Sequence, residues 1–142
     1  MATATATLTP PTRTSVFLQQ GTIESLVTRL LVSTKQLLQR LTSWSEERAT
    51  PTEVRRTRLL FNENLFSCIT RFRDMHLNTA GLDNIQEWFT SVIETILADE
   101  ASPESYRTHN PAIRHVVTSL LQSLRRLQTE YRGKSSTGRR LR

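Results

Sequence analysis

Cysteine and glycine are both scarce in this sequence of 142 residues. Because Cys68 is the single cysteine, no disulfide can form within the chain, and a reducing intracellular compartment is favoured over secretion. The four glycines are too few to suit a fold with many tight β-turns. The composition therefore points away from secreted disulfide frameworks and from turn-rich β folds.

Long apolar runs are also missing. The opening stretch, MATATATLTPPTRTS, lacks the apolar block of roughly 7–15 residues that a signal peptide requires. No segment approaches the ~18 consecutive apolar residues of a membrane span. We expect a soluble protein of the cytosol or nucleus, about one domain long, that can form a core without metal or disulfides.

Motifs of catalysis and metal binding are absent from the sequence. It contains no glycine-rich phosphate loop, no HExxH zinc motif and no nucleophile elbow. No two of the three histidines stand four residues apart, the spacing that would place two ligands on one helical face: His76, His109 and His115. We predict no enzymatic activity, no cofactor or metal and no small-molecule substrate, with Cys68 acting as a small buried hydrophobic residue.

The net charge of +6 is distributed unevenly along the chain. Between Leu77 and Asn110 six acidic residues face one arginine, whereas from Pro111 onward eight basic residues face one acid. A basic C-terminal end attracts acidic surfaces of any kind and does not choose among them.

Apolar residues recur at helical spacing in four segments. In IESLVTRLLVSTKQLLQRLTSW, steps of four and three residues give an apolar stripe that carries a single threonine: Ile23, Val27, Leu30, Thr34, Leu37, Leu41 and Trp44. Similar stripes predict a second helix from Thr50 to the HLNTAG segment, with Gly81 in the turn, and a third from about Asn84 to Ala98. The expected apolar face of the third helix comprises Ile85, Trp88, Phe89, Val92, Ile96 and Leu97, and that of the last helix comprises Ile113, Val117, Leu120, Leu124, Leu127 and Tyr131.

Threonine or serine followed by proline marks two predicted helix starts. Thr50 can cap the second helix, with Pro51 at its first position and Glu53 completing a capping box. Ser102 precedes Pro103 in the same way, and Pro111 is expected to break the chain again, so that 103–109 forms a separate short helix. Both Thr50 and Ser102 also match sites of proline-directed phosphorylation, which we keep as a hypothesis.

These patterns predict an all-α fold, an antiparallel bundle of four main helices plus one short helix. Residues 1–20 are expected to form a disordered arm, 21–132 the helical bundle and 133–142 a basic disordered tail, with Gly133 ending the last helix. Extra apolar residues beside the stripes favour a monomeric bundle over an intermolecular coiled coil: Leu26, Leu31, Leu38, Val116 and Leu121. The oligomeric state is not fixed by these residues.

Three segments resemble one protein family. The LLVSTKQLL core within residues 23–44, ILADEASPES at 96–105 and VTSLLQSLRRLQTEYR at 117–132 are similar, in this order, to the N-terminal domain of the fungal actin-interacting, bud-site-selection proteins of the polarisome. Residues 54–88 match that family only in outline.

The resemblance implies a non-enzymatic cytoskeletal adaptor at the cell cortex, bud tip and bud neck. Implied partners are proteins of the polarity machinery: a polarisome scaffold, a formin, actin or microtubule-end proteins. The chain has no long central coiled coil and no formin-binding core, so the resemblance does not extend to actin nucleation, and we expect an excised domain or a short relative.

The candidate contact residues are basic: Arg29, Lys35 and Arg40 on the first helix, and Arg125, Arg126 and Arg132 on the last. Two other classes of function stay open at this point. One is a basic helical module that binds anionic membrane or nucleic acid, although no specific nucleic-acid motif is present. The other is a self-assembling coiled coil.

Overall fold

A computed structural model describes the backbone of residues 22–140 and the side chains up to residue 133. Five helices follow one another in this range: α1 (Ile23–Ser45), α2 (Pro51–Asp74), α3 (Ala80–Asp83), α4 (Ile85–Leu97) and α5 (Pro103–Arg140). No strand occurs among the described residues, and the predicted all-α class is confirmed. The predicted N-terminal arm, residues 1–20, lies outside the described range.

The four long helices form an antiparallel bundle. α1 packs against α2 and α5, and α4 packs against the same two helices from the other side. The direction of α5 follows from its partners on α1. The side chain of Thr42, near the end of α1, lies 3.5 Å from the hydroxyl of Tyr106 near the start of α5, whereas Val27, near the start of α1, borders the same cleft as Leu124. Each helix therefore runs opposite to the two helices beside it.

Side-chain caps start α2 and α5 where the sequence predicts them, and α1 has a cap of the same kind. Thr22 Oγ1 accepts the Ser25 N–H at the start of α1, and Ser102 Oγ accepts the Ser105 N–H at 3.0 Å at the start of α5. At α2 the capping box is complete: Thr50 Oγ1 accepts the Glu53 N–H at 3.1 Å, and the Glu53 carboxylate accepts the Thr50 N–H at 2.8 Å. Helix capping accounts for the hydroxyls of Thr50 and Ser102, and the phosphorylation of these two residues stays a prediction.

We expect Thr50→Ala to lower the free energy of unfolding by about 1 kcal/mol, because the substitution leaves an N–H at the start of α2 without its acceptor. Thr50→Ser retains the hydroxyl and serves as the matched control. Urea titration, monitored by circular dichroism, measures the free energy of unfolding of both variants. Equal midpoints for the alanine variant and the unaltered chain would contradict the capping role.

Helices end without glycine, which explains how so few glycines suffice. After α1 and after α2 the chain turns through a residue with positive φ, Glu47 at 61° and His76 at 63°. The Arg48 N–H then bonds the carbonyl of Ser43 at 2.7 Å, and the Leu77 N–H bonds that of Phe72 at 3.1 Å. This is the Schellman pattern of helix termination.

The apolar stripe of α1 is buried along its whole length, as predicted. Its threonine, Thr34, is buried and donates a hydrogen bond of 2.8 Å to the carbonyl of Leu30, so the polar group is satisfied within its own helix. Facing it, α2 buries Val54, Phe61, Leu65, Cys68 and Phe72. Burial raises the pKa of the Cys68 thiol to about 12, so the sulfur stays protonated and unreactive at neutral pH, consistent with the predicted role as a hydrophobic residue.

On α4 and α5 most of the predicted core-facing residues are buried, and at a few places a neighbouring residue takes the buried position. α4 buries Ile93, whereas Val92 and Leu97 are half-buried and Trp88 is exposed at 36%, with its ring against the imidazole of His115. On α5, Val116 replaces Val117 in the core. A helix has 3.6 residues per turn, so a strict alternation of four and three drifts off the buried face, and the bundle selects the neighbouring residue.

The short helix is not where the sequence placed it. Residues 103–109 are the first part of α5, which runs as one helix through Pro111. The short element is α3, in the segment where a turn with Gly81 was predicted. There the Gly81 carbonyl accepts a hydrogen bond of 3.2 Å from Ser123 Oγ, and a Cβ on residue 81 would stand 2.5 Å from that oxygen. The glycine thus permits the close approach of α3 to α5.

The end of α5 also differs from the prediction. The helix continues through Gly133 to Arg140, although Gly133 was expected to end it. The disorder expected for residues 133–142 stays a prediction. A single glycine weakens a helix by only about 1 kcal/mol and removes no backbone hydrogen bond. Residues 141–142 lie outside the described range.

Candidate protein-docking surface

The three basic residues predicted on α1 do not form one patch. Arg29 and Arg40 are eleven residues apart, close to three full turns, so they share one side of the helix. Arg40 borders a cleft between α1 and α2. Lys35 is five residues before Arg40, a rotation of roughly 140°, so it is on a different side of α1 and is not among the residues that line this cleft.

The three basic residues predicted on α5 are also divided. Arg125 and Arg132 are seven residues apart and line a single cleft between α1 and α5. Arg126 lies on the opposite flank of α5, where its guanidinium contacts the carboxylate of Glu130 at 3.3 Å and approaches Gly81 of α3. Arg126 is therefore part of the packing around α3 and does not belong with the other two.

The cleft that holds Arg125 and Arg132 has an apolar floor. Its volume is about 300 Å³, and it is lined by Val27, Leu31, Leu121, Leu124, Arg125, Gln128, Thr129 and Arg132. Leu31 and Leu121 are exposed at 39% and 45%, although the sequence suggested that they widen the core face. Two large apolar side chains thus stand partly in solvent on either side of the junction between the helices.

A second cleft of about 290 Å³ continues the same junction toward the start of α5. Its lining is Leu38, Tyr106, Asn110, Ile113, Arg114, Val117 and Thr118. We call the two clefts together the α1–α5 groove. No acidic residue is among those that line either part.

Arginines on α5 form a basic rim along this groove, made of Arg114, Arg125 and Arg132. Their spacings of eleven and seven residues keep them on one side of the helix. All three are exposed, and within residues 22–133 none has a side-chain hydrogen bond or an ion pair. Their charge is thus not neutralised by a described part of the bundle.

The cleft between α1 and α2 is larger, about 760 Å³, but its lining is mostly polar: Gln36, Gln39, Arg40, Ser43, Arg56, Thr57 and Leu60. Its two arginines lie near an acid. The pKa of the Glu53 carboxyl is held below its usual value, first by the hydrogen bond from the Thr50 N–H and also by the charges of Arg40 and Arg56. Part of the positive charge in this cleft is therefore balanced.

The outer face of α2 exposes Leu59 and Phe66, one heptad apart, and Phe66 is exposed at 65%. Two arginines of this helix are already engaged. Arg55 forms two hydrogen bonds of 3.0 Å with the carboxylate of Glu94, and Arg73 contacts Asp83 at 2.9 Å. The α1–α5 groove combines two exposed leucines with three arginines that have no ion pair among the described residues.

Among the described residues, a histidine is hydrogen-bonded to an acid. His109 Nε2 lies 2.8 Å from the Asp99 carboxylate, and this hydrogen bond holds the pKa of Asp99 below its usual value. The pair lies at the junction between α4 and α5. In the described part of the chain, no group of three or more histidines, cysteines and acids could hold a metal ion, and no helix is long and apolar enough to span a bilayer.

Sequence reasoning missed Arg114 and assigned Leu31 and Leu121 to the core. Spacing alone could have found Arg114, because eleven and seven residues return to one side of a helix. The exposure of the two leucines depends on how far apart α1 and α5 lie at that level, which the sequence does not encode locally.

The fold defines an all-α helical bundle domain. The profile of the Aip3p/Bud6 N-terminal domain matches residues 24–132, and the chain belongs to this family. Membership associates the chain with actin and cell polarity and with scaffold or adaptor domains. Comparison with curated proteins gave no match, and comparison with solved structures gave none.

Proposed function

We propose that this chain is a non-enzymatic adaptor domain that docks proteins of the polarity machinery and so places an actin-organising protein at the cell cortex. The observation that carries the proposal is the α1–α5 groove, in which exposed leucines and unpaired arginines lie side by side on a rigid bundle. Membership in the Aip3p/Bud6 N-terminal domain family supports the cellular setting.

The composition of the groove suits a protein partner. Apolar residues surrounded by polar and charged ones mark interaction sites, since the apolar part supplies affinity and the charged rim supplies orientation and a faster encounter. Arginine is also enriched where binding energy is concentrated. The proposal includes two finer assignments. The docked partner is a polarisome scaffold, a formin, actin or a microtubule-end protein, and the cortical places are the bud tip and bud neck.

Charge reversal tests the proposal in growing fungal cells. A fluorescent fusion of the chain carrying Arg125→Glu and Arg132→Glu should lose most of its enrichment at the cortex, because the rim would then repel an acidic partner. Exposed charges contribute little to stability, so its thermal unfolding should stay close to that of the unaltered chain. Fluorescence microscopy measures the ratio of cortical to cytoplasmic signal.

The matched control is Arg48→Glu with Arg126→Glu, which changes the net charge equally but leaves the groove intact. Both control residues are exposed and lie outside the groove: Arg48 pairs with Glu46, and Arg126 pairs with Glu130 beside α3. Cortical enrichment should persist in the control. Equal loss in both double variants would show that net charge governs recruitment, and unchanged enrichment in a folded groove variant would refute the proposed docking role.

A further inference from the structure

We infer that the α1–α5 groove receives one kind of occupant, an acidic amphipathic helix of a partner protein. The inference rests on the proposed docking function and adds the chemistry and shape of the segment that docks. It follows from the apolar spacing, from the position of the basic rim and from the charge of the other candidate occupants.

Apolar positions along the groove have the spacing of a helix that packs on helices. On α1 the groove is lined by Val27, Leu31 and Leu38, at steps of four and seven residues. On α5 it is lined by Val117, Leu121 and Leu124, at steps of four and three. Such rows accept the ridge of a third helix between two antiparallel ones, with anchors at every third or fourth residue.

The basic rim fixes the charge of the occupant. Arg125 and Arg132 stand seven residues apart, a rise of roughly 10.5 Å, which equals two turns of a helix lying along α5. A partner helix with acids one heptad apart would thus meet both arginines at once. Arginine binds carboxylates in a bidentate manner, which favours Asp or Glu at these positions.

The chain's own candidate segments lack free acids at the spacing that the rim requires. Residues 1–20 contain one basic residue, Arg13, and no acid. In a second copy, the outer face of α2 exposes Leu59 and Phe66 with a single acid between them, Glu63. On α4, Glu87 and Glu94 are one heptad apart, but Glu94 is already bonded to Arg55. A separate acidic partner therefore matches the groove better.

An unbiased selection tests the inference. A displayed library of helical peptides, random in charge and in apolar pattern, is selected on the 142-residue chain and counter-selected on a Leu31→Asp, Leu121→Asp variant. Both leucines are partly exposed, so the variant should keep the circular dichroism spectrum of the bundle. We expect the enriched peptides to carry leucine-like residues at heptad spacing with Asp or Glu on one flank.

Binding of a selected peptide to purified variants then identifies the rim. Fluorescence anisotropy should show at least about tenfold weaker binding to Arg125→Glu, Arg132→Glu, and a change within about twofold for Arg48→Glu, Arg126→Glu. A version of the peptide with its flanking acids changed to lysine should recover affinity for the Arg125→Glu, Arg132→Glu variant. A merely structural effect of the substitutions would give no such recovery.

Three results would overturn the inference. The enriched peptides could lack acids, or they could bind the Leu31→Asp, Leu121→Asp and the Arg125→Glu, Arg132→Glu variants as well as the unaltered chain. In the third result no peptide is enriched, while heparin or phosphatidylserine vesicles bind through the same arginines. The last result would assign the rim to polyanions. The two proposals fail separately. If the Arg125→Glu, Arg132→Glu variant loses cortical recruitment but no acidic peptide is selected, the docking function stands and this inference fails. If an acidic peptide binds the groove but the same variant keeps its recruitment, the docking function alone fails.

Discussion

Phe61→Ala is expected to lower the free energy of unfolding by about 3–5 kcal/mol. Phe61 is fully buried on α2, and its ring meets that of Phe89 on α4 edge to face, with centroids 5.2 Å apart and an interplanar angle of 81°. Removal of the ring leaves a cavity between two helices that a bundle of this size closes only in part. The loss is a large fraction of the stability of a typical domain.

Chemical denaturation followed by circular dichroism measures this effect, and the chain provides a matched control. Phe66 is on the same helix but exposed, so Phe66→Ala should change the free energy of unfolding by no more than about 0.5 kcal/mol. A double-mutant cycle between Phe61 and Phe89 should give a coupling of about 0.5–1.5 kcal/mol. Similar costs for Phe61→Ala and Phe66→Ala would show that the packing of α2 differs from that described here.

Local signals in the sequence were sufficient wherever one segment determines its own structure. The capping box at Thr50 and Glu53 involves neighbours in the chain, and every residue of the α1 stripe from Ile23 to Trp44 is buried as predicted. These features depend on backbone geometry and on helical periodicity alone. The all-α class and the antiparallel order follow from them, because short connections place successive helices side by side.

The sequence was less informative where tertiary packing selects among local options. Pro111 was expected to divide a helix, yet α5 is continuous through it. Gly133 was expected to end α5, and Gly81 was expected in a turn that is in fact the short helix α3. In each case a modest local preference competes with burial along the rest of the element, and contacts such as Ser123 with Gly81 outweigh it.

The candidate surface shows the same limit. The sequence indicated which residues are basic, but it could not indicate which of them lie together. Arg125 and Arg126 are adjacent in the chain and lie on opposite flanks of α5, one in the groove and one against Glu130. Arg114 lines the groove because the eleven residues that separate it from Arg125 return to one side of the helix. The α1–α5 groove is therefore a property of two helices and not of one segment.

Pro111→Ala should raise the free energy of unfolding by about 2 kcal/mol. A proline inside a helix is about 3 kcal/mol less favourable than alanine, because it lacks the N–H that would bond the carbonyl four residues earlier and its ring crowds that carbonyl. Proline also restricts the unfolded chain, which returns up to about 1 kcal/mol. Pro111 is exposed within α5, so the substitution fills no cavity and removes no core contact.

Pro103→Ala is the control for this prediction, since Pro103 is the first residue of the same helix and has no helical hydrogen bond to lose. Its substitution should leave the stability unchanged or slightly lower. Urea denaturation and the helical signal at 222 nm compare the two variants. Only a continuous α5 gains from an alanine at residue 111. If Pro111→Ala instead left the stability unchanged or slightly lower, as expected for Pro103→Ala, residue 111 would begin a new helix. The part of the groove near the start of α5, which Tyr106 and Arg114 line, would then be built from two independent segments.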